Sequence, residues 1–146
     1  DVINGILHNL RIFISYGHKD IQIAKRIADK LKEKDYLVFI APESIPVGSN
    51  YREIIPAAIN EASQEGCVLA LLSAASINSA LVTKEIEYAI CKGGNVIPVF
   101  LGDFELPIVL QFYLSRIQAY RLSENPTDEE IDRMIDAIGR VFSHKQ

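Results

Sequence analysis

Glu85 stands where an open parallel sheet does its chemistry. An apolar run, GCVLALLS (66–73), ends in small polar residues. A helix-period segment then carries this carboxylate near its start, and a second buried run, NVIPVF (95–100), follows at once. That order sets Glu85 close to the carboxyl edge of the strands, where such folds bind ligands. A single carboxylate held there can stabilise positive charge as it develops on a bound molecule. Position alone also allows a plainer role, an acid in the early turns of a helix favoured by the helix dipole.

Other polar residues share that edge. Tyr16 is either a core tyrosine with its hydroxyl satisfied or a ligand contact. His18 reads more naturally as a solvated turn residue than as a general base. Asp20 reads as the N-cap of the first helix. Ser73, Ser76 and Ser79 suit turns and the N-cap of the helix that carries Glu85. Tyr51 and Phe104 suit packing or stacking on a base.

The elements that must position these residues alternate along the chain. RIFISY (11–16) reads as a strand rich in β-branched and aromatic residues. Ile21, Ala24, Ile27, Ala28 and Leu31 follow at helical spacing, with Lys25, Arg26, Lys30 and Lys32 on the other face. YLVFIA (36–41) is a second strand, and a loop with two prolines and a glycine follows it. Residues 51–64 carry Ile55, Ala58, Ile59 and Ala62 as a helical stripe, with Pro56 expected in a tolerant first turn.

Strand three is 66–73, apolar enough to be buried on both faces. A helix over about 78–92 stops at Gly93 and Gly94, and a strand spans 95–101. Residues 102–115 show no clear period; IQAYRL (117–122) reads as a short edge strand. Thr127 and Glu130 form a capping box, and Ile131, Met134, Ile135, Ile138 and Phe142 are the buried stripe of a last helix.

This alternation predicts an α/β fold, a flavodoxin-like five-stranded parallel sheet in the order 2-1-3-4-5 with helices on both faces. The switch point then falls between strands one and three. Ligand is expected over residues 16–20, 73–79 and the loop 42–50, and Glu85 can face the same crevice.

Composition narrows the function classes. At 146 residues the chain fits one domain with a proper core. A net charge of −4 and a pI near 5.4 argue against nucleic acid as a direct partner, since that binding rests on Lys and Arg at phosphates. No apolar stretch nears the roughly 18 residues that span a bilayer. The first residues lack the order of a secretory signal and an initiating Met, so residues 1–10 read as a lead-in from a preceding region of a longer protein. Cys67 and Cys91 read as two reduced, mostly buried thiols of a cytoplasmic protein. His8, His18 and His144 are scattered without metal-ligand spacing, so no metal is expected.

Familiar nucleotide and nucleophile motifs are missing. There is no GxGxxG after strand one, no GxxxxGK[ST] and no GxSxG. A phospho-receiver needs an acidic cluster after strand one and an Asp ending strand three; the residues here are Ser15, Tyr16, Gly17 and His18, then Leu72 and Ser73.

In order and spacing, four segments resemble the conserved boxes of Toll/interleukin-1 receptor (TIR) domains over about residues 11–142. RIFISYGHKD resembles the first box. YLVFIAPESIPVGSNYREIIPAAINEA is similar to the second box with its BB loop, in a form common among prokaryotic members. LLSAASINSALVTKEIEYAICKGGNVIPVF resembles the Ser-rich turn, helix αC and the next strand, and GDFELP the third-box region. On this likeness residues 11–146 form the TIR domain.

The resemblance implies an enzyme for which NAD⁺ is substrate rather than cofactor. Many members cleave the bond between nicotinamide and ribose, and others are scaffolds without catalysis. In enzymatic members the essential residue is a Glu on αC, usually within W-x-x-x-E. Here the glutamate aligns with Glu85, and Leu81 takes the place of the Trp. Tyr16, Gly17 and His18 match the loop that contacts the dinucleotide, Gly48 and Tyr51 match the BB-loop region, and Ser79 matches the serine before the Trp position. Ala41 stands where animal members carry an acid at the end of strand two.

A lone glutamate suits this substrate. Nicotinamide leaves a cationic pyridinium as a neutral molecule, whereas an ordinary glycosidase needs a second carboxyl group to protonate its leaving oxygen. The likeness further implies activation by TIR–TIR self-association that includes loop 42–50, and a sensor domain elsewhere in the full-length protein. It implies an effector role in immune, antiphage-type defence, with ADP-ribose or a cyclic form as product. The alternative it leaves open is a non-enzymatic interaction module or a decoy of host signalling.

Overall fold

The computed structural model describes residues 10–144. The lead-in expected over 1–10 and His8 therefore lie outside the described residues, Leu10 excepted. Five parallel strands form one sheet in the order β2-β1-β3-β4-β5: β1 Arg11–Ser15, β2 Leu37–Phe39, β3 Gly66–Ser73, β4 Val96–Leu101 and β5 Tyr120–Leu122. The helices between them are α1 Ile21–Glu33, α2 Tyr51–Glu65, α3 Ala80–Cys91 and α4 Ile108–Leu114, with α5 Asp128–His144 last. This is the flavodoxin-like sheet that the alternation predicts.

The sheet sorts its side chains by parity. Successive residues of a strand point to opposite faces, so β3, buried along its whole length, feeds two cores. Cys67, Leu69 and Leu71 join Ile12 and Ile14 against α1 and α5. Val68, Ala70 and Leu72 join Phe13 against α2, α3 and α4. Each Ile or Leu fully buried in these layers contributes about 1.5–3 kcal/mol relative to exposure.

On the first face, ion pairs at four-residue spacing join α1 to α5. Arg26 meets Asp128 at 2.9 Å, Lys30 meets Asp132 at 2.9 Å and Lys34 meets Asp136 at 4.0 Å. Exposed pairs of this kind add little stability each. The capping box forms as expected: the Glu130 amide donates to Thr127 Oγ1 at 3.2 Å, and the Thr127 amide donates to Glu130 Oε2 at 2.8 Å. Gly93, just past α3, has φ +71°, the left-handed conformation that a helix stop needs.

Four local expectations change. Pro56 lies inside α2, in its second turn, because Asn50 caps the helix and Tyr51 opens it. The ring there removes one helical hydrogen bond. Residues 102–115, which show no period, contain α4: its apolar residues run almost without a break, so neither face stands out. Leu110 and Leu114 are buried one turn apart, while Ile108, Val109 and Phe112 are exposed. β2 is shorter than expected, three residues at the sheet's edge. Cys67 is buried, but Cys91 is exposed at the end of α3, and both are free thiols.

Candidate active site

At the carboxyl ends of β1 and β3 two loops are locked together by a buried polar cluster. Asp20, 7% exposed, accepts hydrogen bonds from Ser73 Oγ at 2.7 Å and Ser76 Oγ at 2.5 Å. Gly17 is buried against the same turn, where an added Cβ would lie 2.3 Å from the Cβ of Ser76. The sequence assigns Asp20 to capping the first helix. It does occupy that position, but its carboxylate bonds across to the β3 turn and makes no side-chain cap bond. Short-range spacing carries no sign of partners 53 and 56 residues away.

Removing that carboxylate has a defined consequence. Asp20→Ala removes the charged acceptor of two buried hydroxyls, only one of which can turn to donate to the other at 2.9 Å, and is expected to cost about 2–3 kcal/mol. For a domain of this size that lowers the melting temperature by roughly 5–10 °C. An unchanged melting curve would show that the loops are held by other contacts.

The turn that follows delivers α3. Ser79 is its N-cap, accepting from the Val82 amide at 3.4 Å, as the sequence suggests. Two turns in, Glu85 points into the sheet side of the helix with Val82, Ile86 and Ala89, and is only 8% exposed. Ser15, the last residue of β1 and 1% exposed, donates its hydroxyl to Glu85 Oε1 at 2.7 Å.

The residues around this carboxylate enclose a cleft of about 240 Å³, lined by Phe13, Ile14, Tyr16, His18, Ala41, Pro42, Ile55, Leu81 and Glu85. Tyr16 donates its hydroxyl to the carbonyl oxygen of Ala41, which ties the loop after β1 to the loop after β2. His18 is exposed at the rim, and Leu81 presents an apolar side chain that is 58% exposed. Glu85 is the one carboxylate among the described lining residues. A wider cavity of about 310 Å³ lies at the amino ends of β4 and β5, against α5, but its lining includes no acid and no histidine. Volume is therefore a poor guide here; convergent polar groups decide.

Burial governs the electrostatics. It pushes the Glu85 carboxyl up from 4.5 to about 7, while the hydrogen bond from Ser15 pulls it back toward the charged form. Tyr16 is raised too, first by its own burial and then by the negative charges of Glu43 and Glu85. A carboxyl group that burial raises this far, set in a cleft, marks a functional-site candidate.

Of the residues that the sequence puts forward, the cleft gathers Glu85, Tyr16, His18 and Leu81. Gly17 lies beneath it against Ser76, and Ser79 caps the helix. Gly48 and Tyr51 are exposed and outside the lining; Gly48 has φ +84° at the tip of loop 42–50, beside the fully exposed Val47. Phe104 packs edge-on against Phe100. Sequence reasoning missed Ser15, the floor residues Phe13 and Ile14, and Ile55 of α2. The alternation of β1 held a signal: Ser15 is two residues from Phe13 and so shares its face.

The fold and this site define a class: a flavodoxin-like α/β domain with one buried carboxylate in the cleft at its strand switch point. The chain belongs to the TIR domain family, which it matches over residues 12–135. Among solved structures it is similar to the Clostridium botulinum CMP N-glycosidase BcmB, at 20% identity and a TM-score of 0.56, over 87% of this chain and 98% of that one. No curated protein matches the chain. Among the described residues no helix is long and apolar enough to cross a membrane, and no group of His, Cys, Asp and Glu could hold a metal ion.

Proposed function

We propose that this domain cleaves an N-glycosidic bond, and that its substrate is NAD⁺, split between nicotinamide and ribose. The observation that carries the reading is the single buried carboxylate, Glu85, facing a cleft at the carboxyl edge of the sheet. As the C–N bond breaks, its electron pair goes to the pyridinium nitrogen and nicotinamide leaves neutral. Positive charge collects on the ribosyl carbon and its ring oxygen. The Glu85 carboxylate stabilises that charge in a site where little water screens it. Water then adds to the carbon and loses a proton, giving ADP-ribose; attack by an adenine nitrogen of the same molecule would give a cyclic product instead.

The lining suits the leaving group. The half-buried ring of Tyr16 and the exposed Leu81 offer aromatic and apolar surface to a flat ring, and His18 is the one imidazole among the described lining residues. In this reading activity depends on assembly. Loop 42–50, with Pro46 exposed and Val47 fully in solvent, meets a neighbouring domain, and the chain serves as the effector of a larger cytoplasmic defence protein.

A second reading draws support from the position of the Glu85 carboxyl near neutrality. A protonated Glu85 could act as a general acid on a neutral nucleotide base, which needs a proton to leave. BcmB, named for CMP, makes that substrate class the one to compare. The direct experiment incubates the protein, free and artificially clustered, with NAD⁺ and separately with CMP, and follows released base by chromatography. Nicotinamide release that rises on clustering is expected. Release of cytosine alone would replace the substrate, and release of neither from clustered protein would leave a non-enzymatic interaction module.

A further inference from the structure

We infer that Ser15 is a positioning residue for the Glu85 carboxylate, holding one of its oxygens against β1 so that the other is presented to the substrate. This rests on the proposed N-glycosidase reading of the same site. The two residues are 70 apart in sequence, and both are buried where β1 ends and α3 crosses the sheet. Ser15 pairs with Ala70 at the centre of the sheet, so its backbone is fixed by a neighbouring strand. A hydroxyl on such a strand is a rigid anchor, whereas a glutamate on a helix has three rotatable bonds to restrain.

The bond is selective between the two oxygens. Oε1 accepts from Ser15 at 2.7 Å, and no other hydrogen bond reaches Glu85 among the described residues. Oε2 is therefore the oxygen left to meet a developing cation or a ribose hydroxyl. A hydroxyl donor also favours the ionised carboxylate over the acid, against the effect of burial. The other titratable groups about the cleft are Tyr16 and His18 after β1 and Glu43 in the loop after β2; α2 contributes only Ile55 to the lining. Tyr16 spends its proton on Ala41, so it does not substitute for Ser15.

The test has two readouts on the same chain. Ser15→Ala is expected to move the acid limb of kcat/KM upward by about one pH unit and to lower activity near pH 7 by about tenfold or more, with partial recovery at higher pH. Ser15→Thr, which keeps the hydroxyl, is expected to restore the profile. Independently of turnover, carbon-detected NMR of the Glu85 carboxyl should show its titration midpoint rising in Ser15→Ala and returning in Ser15→Thr. An unchanged titration in a folded Ser15→Ala protein would overturn the inference, even if the wild-type enzyme is active. A wild-type protein inactive on every N-glycoside, but with the carboxyl midpoint still governed by Ser15, would instead overturn the functional reading alone.

Discussion

Replacing Glu85 by glutamine is expected to reduce base release by about a hundredfold or more and, in the same protein, to raise the melting temperature at neutral pH. The first effect follows from removing the charge that stabilises the ribosyl cation; loss of one such group commonly costs two to three orders of magnitude, about 3–4 kcal/mol. The second follows from burial. The Glu85 carboxyl sits at about 7 when folded, against 4.5 for the unperturbed group, so the folded state favours the protonated form. Between those values the folded protein binds a proton that the unfolded chain does not.

Stability from this group is therefore greatest below about 4.5 and falls as pH rises through 7. At about 1.4 kcal/mol per pH unit, the ionised carboxylate costs on the order of 3 kcal/mol above neutrality. Glutamine keeps an oxygen that can accept from Ser15 and carries no charge to desolvate. At pH 8 the variant should melt roughly 3–10 °C higher than wild type; the gain should be small near pH 5 and vanish below about 4.5, where Glu85 is neutral in the folded and the unfolded chain alike. Melting curves at both pH values with one activity assay separate the two effects. Wild-type base release by clustered Glu85→Gln would remove the catalytic role, and equal melting at pH 8 would deny the burial cost.

The second large effect is on the pH profile, and its sign distinguishes the two chemistries. If the carboxylate stabilises a cation, kcat/KM should rise about tenfold per pH unit up to roughly 7 and then level, because that parameter reports the free enzyme. The bound pyridinium favours the charged form, so the limb in kcat should lie lower than the limb in kcat/KM. If Glu85 instead donates a proton to a neutral base, the curve inverts and activity falls through the same region. A flat profile across pH 6–8 would mean that neither role belongs to Glu85.

Such a carboxylate also explains why the site is built as it is. A buried charge near neutrality is costly, and the cost is tolerable only where surrounding structure holds it. Here the central strands β1 and β3, the Asp20 cluster and the capped start of α3 supply that frame. On the proposed reading, the change expected to reduce base release at Glu85 is also the one expected to stabilise the fold, a stability–activity trade-off.

Local pattern settled a good deal of this domain. Strand three, the Thr127 capping box, the Gly93 stop and the strand order follow from periodicity, turn chemistry and right-handed crossovers, which act over a few residues or one connection. The same logic put Glu85 on the right helix at the right edge. Where period failed, so did the reading: α4 is apolar on almost every side, and only packing against α3 decides that Leu110 and Leu114 turn inward.

Tertiary structure alone decided what surrounds the carboxylate. The bond between Ser15 and Glu85 spans 70 residues, that between Asp20 and Ser76 spans 56, and the closure of Tyr16 onto Ala41 spans 25. Such contacts depend on how strands and loops meet in three dimensions, and nothing in the spacing of residue types encodes them. Short-range order thus places Glu85 on its helix at the carboxyl edge of the sheet, while its ionisation belongs to burial, a property of the assembled fold.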